Sequence, residues 1–191
     1  MPLLTFSEYE RLAEIAHGHL CAGQILGLRL AVHGLNLLGI EDPAGADRKR
    51  LITYVEIDRC ATDAISVVTG CRLGKRALKF VDFGKVAATF CDLRDGRAVR
   101  VAALESARDR ARERYPEESD KNRQQMRAYR ELPDDDLFTH AWVRVEIPPQ
   151  DLPGYKAPRV VCERCGEAIS FGREVGALCR ACAGARYYQA L

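Results

Sequence analysis

The stretch "LITYVEIDRCATDAISVVTG", residues 51–70, decides the fold class. Its first half, Leu51 to Ile57, is apolar and β-branched and reads as a buried strand. The second half carries apolar residues at helical spacing and stops at Gly70. Upstream, "TFSEYERLAEIAHGH" places Phe6, Tyr9, Leu12, Ala13 and Ala16 on one helical face, with Ser7 as N-cap and Gly18 as stop. A second helix is predicted from about Ala22 to Leu38, apolar on most sides as a central helix is. Gly23, Gly27 and Gly34 line one side of it and permit close backbone approach, and Gly39 ends it. Downstream, "ALKFVDFGKVAATFCDL" reads as two strands about a turn at Phe83–Gly84, "AVRVAAL" as another, and "THAWVRVEI" as a last one with Ala141, Val143, Val145 and Ile147 on one face. Helix, helix, strand, helix and then consecutive strands predict an α+β fold, with helices packed on a largely antiparallel sheet.

The whole chain has 191 residues, of which 47% are apolar and 29% charged, with a net charge of +2. So balanced a chain makes no electrostatic case for nucleic acid or an acidic membrane. The longest apolar run, Ile25 to Ile40, is interrupted by Arg29, His33 and Asn36 and is too short to span a bilayer. No apolar signal-peptide segment follows Met1, so a soluble, cytoplasmic protein is expected. From Ala103 to about Leu132 the chain reads as a charged helical arm, broken near Pro116, with Leu104, Ala107 and Ala111 as a narrow apolar stripe. That stripe needs a covering surface, and a homodimer is expected to supply it. The segment "PPQDLPGYKAP" holds four prolines and reads as a linker. The expected organisation is a core over 1–150, a linker over 151–158 and a small module over 159–191.

That module has the spacing C-x2-C-x13-C-x2-C, through Cys162, Cys165, Cys179 and Cys182. Four thiolates complete a tetrahedral structural zinc site with no open position. A helix is expected to begin at the second pair and run through "CRACAGARYYQA", giving a treble-clef zinc finger. The module carries five arginines, three glutamates and the adjacent Tyr187 and Tyr188. This slight basic excess favours a structural role or a protein partner over nucleic acid.

A second cysteine signal lies in the core. "HGHLC", residues 17–21, puts two histidines and a cysteine within five residues. Alone it reads as a helix end. Paired with "EIDRC", whose Cys60 sits at the start of the next helix, it offers a mixed imidazole–thiolate site for zinc or another transition metal. His19, Cys21 and Cys60 are the expected ligands, with His17 a fourth ligand or a partner of one. Asp63 shares a helix face with Cys60 and is expected to orient a ligand, act as a base or simply favour the helix dipole. Asp82 and Lys85, in "DFGK", sit at a turn, where Lys85 would meet an anionic group. Asp63 and Lys85 are the catalytic candidates. Cys71 is placed near the site, Cys91 in the core. Arg29, His33 and Asn36 read as an internal polar network, or as anion ligands if they line a cavity.

The motifs "HGHLCAGQILGLR" and "EIDRCATDAISVVTGCRLGKRALKFVDFGKVAATF", followed by the two C-terminal C-x-x-C pairs, resemble the FmdE family, named for a component of formylmethanofuran dehydrogenase. The resemblance implies an α+β core with an auxiliary treble-clef zinc finger, often dimeric. The chain departs from the common pattern at Ala22, where many members have Pro, and at Arg76–Ala77, where many have Gly-Asn. The family name implies a link to a molybdenum or tungsten pterin enzyme of one-carbon metabolism. The chain itself carries no ferredoxin-type cysteine run. Three functions follow as expectations: a metal-dependent catalytic or accessory subunit, a non-catalytic metal carrier or assembly factor, and a zinc-finger regulator that binds nucleic acid.

Overall fold

The computed structural model describes residues 3–189; Ala190, the end of the expected tail helix, lies outside them. The chain divides into two compact units, Met1–Val145 and Glu146–Leu191. The first contains helices α1 (Phe6–His17), α2 (Ala22–Leu38), α3 (Cys60–Thr69), α4 (Ala107–Arg114), α5 (Lys121–Glu131) and α6 (Asp134–Leu137). Its strands are β1 (Leu51–Val55), β2 (Leu78–Phe80), β3 (Ala87–Asp92), β4 (Ala98–Ala103) and β5 (Phe138–Val143), in the spatial order β2-β1-β3-β4-β5. Every neighbouring pair is antiparallel except β1 and β2. The fold is α+β, with helices packed on a largely antiparallel sheet.

Helix α1 begins earlier than Ser7 signals. Thr5 is the N-cap, because "TFSE" makes a capping box: the Thr5 hydroxyl accepts from the Glu8 N–H, and Glu8 accepts from the Thr5 N–H at 2.8 Å. Helix α2 is central, with 11 of its 17 residues buried. Its glycines explain how. A Cβ at Gly27 would lie 2.6 Å from the Ala61 carbonyl oxygen of α3, and one at Gly34 would lie 2.3 Å from the Phe90 ring of β3. Register carries the sheet's side of this core: Val55, Ala88 and Val101 form one row, and Thr53, Phe90 and Val99 the next.

Two expectations are corrected. Two strands do flank the turn at Phe83–Gly84, but they do not pair with each other: β1 lies between β2 and β3, and α3 is the crossover that makes β2 parallel to β1. The arm packs on the core. Its small and aromatic residues Ala107, Ala111, Ala128 and Tyr129 are buried in the same cluster as α2, so the chain itself covers the stripe assigned to a second copy.

The polar residues of α2 hold that arm in place. Arg29 donates to the carbonyls of Tyr129, Arg130 and Leu132, capping the C-terminal end of α5, and to Asp134 at 2.7 Å. His33 pairs with the same carboxylate at 3.0 Å. Arg29 is therefore a structural cap rather than an anion ligand, and Asn36 stays exposed. The hydrogen bond with His33, and then the bonds from Arg29, hold the Asp134 carboxyl below its ordinary 3.8 against the opposing effect of burial. A depressed carboxylate contributes stability above its unfolded pKa and loses it as pH falls through its folded one. Asp134→Ala should therefore cost about 1–2 kcal/mol at neutral pH. The gap from wild type should close in urea melts taken below about pH 4; a gap that persists unchanged there would contradict the linkage.

Among the described residues no helix is long and apolar enough to cross a membrane.

Candidate functional site

The core cluster forms where three chain ends meet. Helix α1 ends at His17 because Gly18 turns left-handed (φ 90°) and returns its N–H to the Glu14 carbonyl at 2.7 Å. Three residues later the extended Cys21 becomes the N-cap of α2. The connector is so short that the ligand atoms of His17, His19 and Cys21 all lie within 4.8 Å of one another. The two imidazole rings stand 4.8 Å apart, centre to centre.

Cys60, at the first position of α3, lies beside Cys21 at the edge of this trio. Gly23 makes room for both sulfurs: a Cβ there would lie 3.8 Å from the Cys21 Sγ and 4.0 Å from the Cys60 Sγ. Burial, and then the hydrogen bond and charge of Cys21, push the Cys60 thiol above its ordinary value. One turn along α3, the Asp63 carboxylate sits 2.8 Å from His17 Nδ1, which leaves Nε2 of that ring for another partner. His17, His19 and Cys21 thus form one cluster, with Asp63 held against His17 and Cys60 beside Cys21. Two imidazoles and two thiols are a donor set that suits zinc or a similar borderline-soft cation.

Other expected members fall elsewhere. Cys71 does not approach the site; it is buried against Thr53 and the Leu51 carbonyl. Cys91 is buried in β3, and burial, followed by the neighbouring Cys71, pushes its thiol up to about 12. Asp82 shapes its turn by accepting the Gly84 N–H at 3.1 Å.

Lys85 lies on the wall of a pocket of about 690 Å³ that also exposes Cys60. The crossing of 81–86 over the end of β1 puts it there: the N–H groups of Phe83 and Lys85 both donate to the Glu56 carbonyl. Glu56 is itself buried and clamped by Arg100 through two 2.7 Å bonds. Local sequence patterns do not mark this pair, nor Asn122, whose side chain accepts the Ala22 N–H at 2.9 Å beside Cys21. Arm residues that those patterns leave as surface, Tyr129 and Gln125, line the same pocket.

In the second unit the sulfurs of Cys162, Cys165, Cys179 and Cys182 lie within 4.8 Å of one another. Cys165 and Cys179 are 3.9 Å apart, close to the roughly 3.8 Å that tetrahedral geometry with bonds of about 2.3 Å requires. Gly166, at φ 73°, closes the first knuckle by donating to the Cys162 carbonyl. The N–H of Cys179, with those of Cys165 and Arg164, draws the Cys162 thiol down to about 6. Strands β6 (Val160–Val161) and β7 (Ala168–Ile169) make a hairpin that brackets the first pair. The cluster fits a small zinc module. The expected helix after Cys179 is absent among the described residues, which form turns; Gly184, at φ 113°, takes the backbone out of helical space.

Comparison with known proteins bears on both units. The family model described as "FmdE, Molybdenum formylmethanofuran dehydrogenase operon" matches residues 16–139. A protein of Archaeoglobus fulgidus described as a probable S-adenosyl-L-methionine-binding protein is 30% identical over an alignment taking in 90% of this chain. The chain spans about half, 51%, of that relative's length. A crystal structure of a tungsten formylmethanofuran dehydrogenase FmdE-like protein from Syntrophus aciditrophicus superposes with a TM-score of 0.66. That match covers 96% of this chain and 95% of the other at 21% identity, a likeness of fold.

Proposed function

Since the chain belongs to the FmdE family, we propose that its core holds one transition-metal ion, zinc in the first instance, and acts as a metal-dependent catalytic or accessory subunit in one-carbon or molybdoenzyme-related metabolism. The observation that carries this reading is the cluster of His17, His19 and Cys21, with Cys60 beside Cys21 on the wall of an open pocket. In it, Asp63 holds Nδ1 of His17 and so turns Nε2 toward the ion. Bound metal would supply a Lewis acid or an activated water. Lys85 would offer its cation to charge that develops in the pocket. The tail cluster takes a second, structural zinc in a treble-clef-like module, whose expected contact is with protein rather than nucleic acid.

One feature favours a second reading, a metal carrier or assembly factor: His19 is exposed, so the ion would be exchangeable from that side. The homodimer is retained on the exposed Leu12 and Ile15 of α1 rather than on the arm.

Elemental analysis tests the core site. Wild-type protein should carry two metal ions per chain, and Cys21→Ser with Cys60→Ser should carry one. His19→Ala should weaken the core ion about 10-fold or more, as losing even a supporting contact does. Two ions retained by the double variant after dialysis would sink the core site. Sedimentation of the same samples reads the dimer, and a monomer at micromolar concentration would remove it.

A further inference from the structure

The pocket beside Cys60 has a charge pattern that the metal site does not require. Four charged side chains line it: Arg59, Lys85, Arg108 and Glu105. Glu105 is taken by Arg108 at 2.8 Å. Neither Arg59 nor Lys85 has a carboxylate within ion-pair distance among the described residues. The lining therefore carries an excess of positive charge that no ion pair among the described residues offsets.

Tyr129 adds an independent pointer. Its side chain is 97% buried, being only 3% exposed, and it lines this pocket. Its hydroxyl has no hydrogen-bond partner among the described residues. The hydroxyl is not among the buried unpaired side-chain atoms, so it is open to solvent and free to donate to a group that enters the pocket. Burial raises its pKa, so it stays a neutral donor, and it senses the charges of Arg108 and Glu105. The remaining walls are apolar or small: Leu26, Val86 and Leu104, with Gly23, Ala61 and Ala102 leaving space. A pocket of about 690 Å³ with an apolar body and a few polar groups suits an organic molecule rather than an inorganic ion.

We infer that this pocket binds an organic anion with an apolar body: its carboxylate or phosphate is held by Lys85 and Arg59, and its body lies along the apolar wall beside Tyr129. The far end of the ligand then meets Cys60. The inference rests on the proposed metal centre only for what the ligand meets there. A cationic sulfonium compound is the wrong charge for this lining, so S-adenosyl-L-methionine is expected to bind more weakly than an anion of similar size.

The probe is anilinonaphthalene sulfonate, a flat aromatic anion whose fluorescence rises in an apolar site, with its uncharged parent phenylnaphthylamine as the matched control. With the metal-loaded full chain, the sulfonate should bind at one site per chain. The parent should bind at least 10-fold more weakly. Lys85→Met should weaken the sulfonate about 10-fold, and Tyr129→Phe about 3-fold or more. Displacement by adenosine monophosphate would identify a phosphate headgroup, and displacement by naphthoate a carboxylate; either supports the pocket. If neither displaces the probe, if the parent binds as tightly, or if Lys85→Met changes nothing, the inference is overturned. Metal content of the same samples separates the two ideas. Two ions per chain with failed probe binding would remove the anion pocket alone, and probe binding with one ion per chain would remove the core metal alone.

Discussion

Cys162→Ser should leave residues 160–182 without fixed structure while residues 3–145 keep their cooperative melt. The second unit has almost nothing else to hold it. Its hairpin has two residues per strand. Its buried apolar cluster is Cys162, Ile169 and Cys182, with Leu178 and Cys179 packed against them. One isoleucine and a few thiols cannot offset the conformational entropy of ordering a segment of this length. Four thiolates on one ion can, because structural zinc contributes on the order of 10–16 kcal/mol of apparent binding energy to small modules of this kind. Losing that thiolate also weakens the bonds that the N–H groups of Cys179, Cys165 and Arg164 make to the Cys162 sulfur. Limited proteolysis reads the outcome: cuts should appear between 160 and 182 in the variant and in chelated wild type. A variant as resistant there as the zinc-loaded protein would show that the module folds by packing alone.

Gly27→Ala should destabilise the first unit by about 3 kcal/mol, the upper part of the usual range for overpacking. The sign matters more than the size. By helix propensity alone, alanine in the middle of α2 would stabilise by roughly 1 kcal/mol. The added methyl, however, would meet the Ala61 carbonyl oxygen at 2.6 Å and its Cα at 2.7 Å, both backbone atoms of α3 that no rotamer change can move. Relief requires α3 to move off α2. That movement carries Cys60 away from Cys21, so the variant should also bind its core metal more weakly. A urea melt of Gly27→Ala that matches or exceeds wild type would mean that the two helices do not pack at backbone contact.

The central helix is almost fully legible in the sequence. Its apolar face runs all the way round, its glycines fall on one side, and Gly39 stops it, so the interval Ala22–Leu38 follows from local chemistry. The same holds for α3, bounded by Cys60 and Gly70, and for the four-cysteine spacing, because a metal chelate is a short-range constraint that a spacing can state. Local signals compete at helix ends, and there pattern and structure part: Thr5 with Glu8 outbids Ser7. After Cys179, a run of acceptable helix formers gives way to the turns that fold the second knuckle.

What lies around the core cluster was decided by the tertiary structure. Cys60 and Cys21 are 39 positions apart, and their meeting depends on α2 and α3 touching through Gly23 and Gly27, which the glycine stripe permits but does not specify. Lys85 reaches the pocket because β1 inserts between β2 and β3, an arrangement set by strand pairing over long separations and invisible to any local pattern. The arm reads as solvated because it is densely charged, yet Arg29, 100 positions or more away, caps α5 through the carbonyls of Tyr129, Arg130 and Leu132. Periodicity and spacing report what a segment does with its own neighbours. Which surfaces meet depends on contacts between segments distant in the chain, and those exist only once the chain has folded.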